Sequence, residues 1–183
     1  MQVIMAGMSD DLLTLEDWVY EEIQEYALAC CLLRTPVHID ERQGLVDEFP
    51  QPEFPMRVMK QLIPLAKALQ VVTQAKLTKD TIVPLLWVGY SLSNDKRRRY
   101  LQAAVGLDLY GKEISARSIS AVTGLHSEVT KKGMDQLQAL GIITLKSEDS
   151  GKKVWKLSNK RLRKVVMRLD PPEAAINDVT DVF

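Results

Sequence analysis

Residues 121–143, "AVTGLHSEVTKKGMDQLQALGII", confine the fold more tightly than any other part of the chain. Gly124 interrupts one helical pattern and Ser127 opens another. From there Thr130, Met134, Leu137 and Leu140 recur at the spacing of a single helix face, until Gly141 stops it. The flanks extend the pattern. Ser93 or Asn94 is placed to cap a helix with Tyr100, Leu101, Ala104 and Val105 on its inner face. "GKEIS" reads as a short strand, after which Ser115 caps "ARSISAVTG". "IITLKSEDSGKKVWKLS" reads as an antiparallel hairpin, with Ile143 and Leu145 matched in type to Trp155 and Leu157 around Asp149-Ser150-Gly151. A basic helix, "NKRLRKVVMRL", stops at Pro171-Pro172.

Helix, short strand, helix, helix and hairpin is the order of a winged helix-turn-helix, with the hairpin as the wing. The expected fold is therefore mainly α with a small β-hairpin: a helical N-terminal portion, residues 1–93, followed by a winged helix over 94–170.

Charge separates along the same boundary. Residues 1–93 hold 7 Lys/Arg against 13 Asp/Glu, a net of −6, and residues 94–169 hold 17 against 7, a net of +10. The last 14 residues hold 4 acids and no Lys or Arg, so the overall zero conceals a basic block of 76 residues. One-signed clustering of this kind suits a surface that meets nucleic acid. The acidic tail, 171–183, is expected to be disordered.

Upstream, "TLEDWVYEEIQEYALACCLLR" predicts a helix near 15–34 that ends at Pro36, and residues 36–48 read either as a short hairpin around a Gly-containing turn or as a plain loop. "PMRVMKQLIPLAKALQVVTQA" predicts a second helix. Met59, Leu62, Ile63, Ala66, Leu69 and Val72 spread over more than one of its faces, which implies that most of it is buried, and Pro64 should kink it. A third helix is expected over about 79–92.

Several chemistries are excluded or disfavoured. The only cysteines, Cys30 and Cys31, are neighbours projecting about 100° apart on a helix, which suits buried reduced thiols in a cytoplasmic protein better than a metal site. His38 and His126 lack a nucleophile or metal partner nearby in sequence, and the carboxylates Glu21, Glu22 and Glu25 read as a solvated helix face. Neither a GxxxxGK phosphate loop nor a dinucleotide-binding glycine fingerprint occurs. No apolar run approaches the roughly 18 residues of a membrane span. The chain is accordingly expected to be no enzyme by itself, with no membrane partner, metal or cofactor of its own.

The candidate site is an interface with double-stranded DNA. In a helix-turn-helix the second helix enters the major groove. Its outward residues here are Ser127, Glu128, Lys131, Lys132 and Asp135. Lys131 and Lys132 can neutralise phosphates or reach guanine acceptors, and Ser127 can donate to a phosphate. Glu128 opposes the backbone's charge, and Gly133 weakens the helix by about 1 kcal/mol relative to alanine. Lys152 and Lys153 at the wing tip join Arg97, Arg98, Arg117, Lys160 and Arg161 as expected phosphate contacts.

One resemblance extends this reading. Residues 54–104, from "FPMRVMKQLIPLAKAL" to "RRRYLQAA", resemble the helical lid that ends AAA+ ATPase modules, followed by a winged helix, as in minichromosome-maintenance helicases, archaeal origin-binding proteins and some phage or mobile-element ATPases. Arg57, "LAKAL" at 65–69 and "LTKD" at 77–80 carry it. The resemblance implies that Arg57 is a sensor arginine for a nucleotide's terminal phosphate, and that the chain is the C-terminal part of an ATP-driven DNA machine. ATP and an ATPase core domain would then come from the remainder of that machine, since the phosphate loop is missing here. The alternative is a self-contained transcriptional regulator whose N-terminal helices dimerise or bind an effector; a protein–protein adaptor is the third reading.

Overall fold

A computed structural model describes residues 13–39, 50–149 and 151–172. It is mainly helical, with one small three-stranded antiparallel sheet among the described residues. These residues divide into two compact units, one formed by the chain up to Cys31 together with Phe54–Leu92, the other by Leu32–Glu53 and the chain from Ser93 onward. Residues around 32–39 and 50–53 thus group with the basic block rather than with the acidic helices. The hairpin expected at 36–48 falls largely on residues 40–49, and the acidic tail on 173–183, both outside the described residues.

The first unit contains most of α1 (Asp17–Arg34), with α2 (Met56–Thr73) and α3 (Val83–Ser91). Val19, Ile23, Tyr26, Ala27 and Cys30 of α1 are buried, and both cysteines are free thiols. The expectation of a mostly buried α2 does not hold. Only Val58, Leu62, Ala66 and Gln70, four residues apart, are buried, whereas Leu65 and Val72 are exposed. A stripe at that spacing can face one neighbour only. Pro64 lies inside α2, on its exposed side. The "LTKD" segment is held by Gln70, whose Oε1 accepts from the Leu77 amide at 3.2 Å while its Nε2 donates to the Thr14 carbonyl at 3.2 Å. Within it, Lys79 pairs with Glu22 at 2.8 Å and sits 4.9 Å above the Trp18 ring.

The second unit runs α4 (Asp95–Leu109), β1 (Ile114–Ser115), α5 (Ala116–Thr123), α6 (Ser127–Ala139), β2 (Ile143–Asp149), β3 (Lys152–Leu157) and α7 (Lys160–Leu169). Its helix starts are chemically marked. Asn94 accepts from the Arg97 amide, Ser115 and Ser118 form a reciprocal capping box, and Asn159 accepts from the Leu162 amide. α4 is the central element, buried from Ala103 through Leu107 as well as at Tyr100 and Leu101. Gly124, at φ 68°, supplies the left-handed turn between α5 and α6 that a side chain would resist. The sheet order is β1-β3-β2, with Ile143 opposite Leu157 and Leu145 opposite Trp155; the register shifts between Leu145 and Ser147, across Lys146.

Candidate nucleic-acid interface

α6 is fixed from behind. Thr130, Gly133, Met134 and Leu137 are buried, and Gly133 meets the Tyr100 ring of α4 so closely that a Cβ there would stand 2.1 Å from a ring carbon. The mid-helix glycine is thus a packing requirement: it lowers helix propensity in exchange for a close approach between helices. Burial pushes the Tyr100 phenol above its ordinary pKa, keeping it neutral inside the unit. Across the turn, the Ser120 hydroxyl donates to the Leu125 carbonyl, and His126 caps α6 by accepting from the Glu128 amide through Nδ1 at 3.4 Å.

This anchoring turns the N-terminal half of α6 outward. Ser127, Glu128, Lys131 and Lys132 are all exposed. The hairpin is tied to the same helix at two points. The Trp155 indole donates to Gln138 Oε1 at 2.7 Å, and Lys153 pairs with Asp135 at 3.1 Å. Lys152 pairs instead with Glu113, just ahead of β1, at 2.8 Å. Lys152 and Lys153 of the hairpin are therefore each paired with a carboxylate of their own unit, Glu113 and Asp135.

The other expected contacts fare differently. Arg117, Lys160 and Arg161 are exposed. Arg98 is mostly covered and bonds Asp95 at 2.8 Å. Arg97 requires correction: it is only 6% exposed and faces inward. Its guanidinium donates to the carbonyl of Leu33 at 3.1 Å, to that of Thr35, and to Gln136 Oε1 at 3.1 Å. Leu33 lies in the last turn of α1, where carbonyls lack intrahelical partners, so Arg97 satisfies a helix end rather than a phosphate. Burial lowers its pKa from the ordinary value without removing the charge. The signal was available in the sequence, because Arg97 stands three and four residues before the inward Tyr100 and Leu101. Arg57, in the first turn of α2, is exposed.

Among the described residues no group of three His, Cys, Asp or Glu could hold a metal ion, and no helix is long and apolar enough to cross a membrane. No family model, curated protein or solved structure matches the chain.

Proposed function

We propose that residues 94–169 form a winged helix-turn-helix that binds duplex DNA, with α5 and α6 as the helix-turn-helix and β2–β3 as the wing. One observation carries the reading: α6 is buried along Thr130, Gly133, Met134 and Leu137, and its N-terminal half presents Ser127, Lys131 and Lys132 outward from a basic unit. Binding is dominated by phosphates. Glu128 and Asp135 offset the two lysines on α6, which limits its value for reading base edges.

The N-terminal helices, by their resemblance to an AAA+ lid, belong in this proposal to an ATP-driven DNA machine, with Arg57 as the sensor arginine. A self-associating regulator is the second reading. It is favoured by the exposed apolar residues Trp87, Val88 and Leu92 on and just after α3. Sedimentation equilibrium separates the two, since a regulator that reads a palindrome must dimerise at working concentration.

The test of DNA binding is affinity for a short duplex measured across salt. Binding should weaken log-linearly, and replacing Lys131 and Lys132 by glutamine should weaken it for all sequences and reduce the slope by about two. An unchanged slope would remove α6 from the contact surface.

A further inference from the structure

The exposed charge of the second unit does not culminate on α6. That helix carries Glu128, Lys131, Lys132 and Asp135, a net of zero, whereas α7 carries Lys160, Arg161, Arg163, Lys164 and Arg168 with no acid. α7 is also sharply two-sided. Leu162, Val165 and Val166 are buried, and Lys160, Arg161 and Lys164 are exposed. Arg163 is engaged by Asp108 at 3.1 Å, and the wing lysines by Glu113 and Asp135. Lys160, Arg161 and Lys164 have no ion-pair partner among the described residues. They concentrate uncompensated charge in one helical turn, a surface that attracts a polyanion and costs self-repulsion without one.

This face is separate from that of α6. α6 meets α4 at Tyr100, through Gly133, while α7 meets it at Asp108, through Arg163, and Asp170 just after α7 accepts from the Gln102 amide at 3.0 Å. Both helices pack on α4 and scarcely touch each other, so each keeps an outer face of its own.

We propose that the Lys160, Arg161 and Lys164 face of α7 is a second contact for a nucleic-acid backbone, so that one chain holds two duplex segments at once. The proposal rests on the reading of α6 as the first contact. The second contact is with phosphates only, because a helix lying on the backbone with lysine and arginine reads charge rather than base edges.

The test uses the full chain and two copies of one duplex, the first immobilised and the second fluorescent. The unaltered protein should capture the fluorescent duplex on the immobilised one. The variant K160Q/R161Q/K164Q should lose at least about tenfold more of the capture than of its single-duplex affinity, because capture needs both contacts at once. The substituted residues are exposed, so an unchanged thermal melt certifies its fold. Equal capture by the variant would overturn the proposal, and would indicate bridging through self-association. Absence of capture by an unaltered protein that binds one duplex would overturn it too. A loss of single-duplex affinity in the triple variant as large as its loss of capture would also overturn it, by making α7 the primary contact. If the unaltered protein binds no duplex at all, the single-duplex arm shows that the reading of α6 has failed, and the second contact falls with it.

Discussion

Substituting Gly133 by alanine sets two effects against each other. Helix propensity alone favours alanine by about 1 kcal/mol in a helix interior. The contact with Tyr100 opposes it: the new Cβ would lie 2.1 Å from one ring carbon, 2.6 Å from a second and 2.8 Å from a third. Carbon atoms rest about 3.5–4.0 Å apart, so the ring or the helix must move by more than 1 Å. Tyr100 is 2% exposed and has little room to turn. Overpacking of this kind costs about 1–3 kcal/mol, with the severe overlap placing it at the upper end, so the net loss should be about 2 kcal/mol. For a chain of this size that lowers Tm by roughly 4–8 °C. The assay is thermal unfolding of the purified variant, together with Tyr100→Leu and the double substitution. Removing the ring should relieve the clash, so the two losses should combine to less than their sum by about 1 kcal/mol or more. A variant G133A that melts at or above the unaltered protein would refute the contact between α4 and α6 and restore the simple propensity argument.

Replacing Arg97 with methionine should cost about 3 kcal/mol in urea unfolding, because it removes the buried donor shared by the carbonyls of Leu33 and Thr35, at roughly 1–3 kcal/mol per lost hydrogen bond. Arg97→Lys should recover only part of this, since an ammonium lacks the planar fork; a loss below about 0.5 kcal/mol would show the contacts to be unimportant. Asp135→Asn and Glu113→Gln should change stability by no more than about 1 kcal/mol, as expected for partly exposed pairs, while strengthening DNA binding by freeing Lys153 and Lys152. Weaker binding in either variant would mean that the carboxylates orient the wing instead of competing with phosphate. The chain alone should show no ATP turnover above background, with or without DNA; hydrolysis abolished by Arg57→Ala would contradict that expectation.

The second unit was readable from sequence because its signals are local. A cap at Asn94, another at Ser115, the glycine turn at 124 and the matched pairs of the hairpin each specify geometry within a few residues. Orientation of individual charges was less legible. Three consecutive arginines look equivalent on paper, yet helical rotation turns Arg97 into the interior, leaves Arg98 partly covered and exposes Arg99. The pairing of the hairpin lysines was hidden for another reason: Asp135 is 18 residues from Lys153, and their meeting depends on tertiary packing. In the first unit the apolar pattern of α2 overstated its burial, since periodicity counts apolar faces without showing how many neighbours cover them. Gly133 is the converse case. Its local cost was visible, but its reason lay in Tyr100, one helix away.

Amide NMR shifts recorded as a short duplex is titrated into the full chain decide whether α6 is the surface that meets DNA. The largest changes are expected at Ser127, Glu128, Lys131 and Lys132 and along the β2–β3 hairpin, with buried positions such as Met134 and Leu137 moving far less. Changes confined to the first unit, or none in α6 at duplex concentrations that saturate binding, would contradict that role for α6.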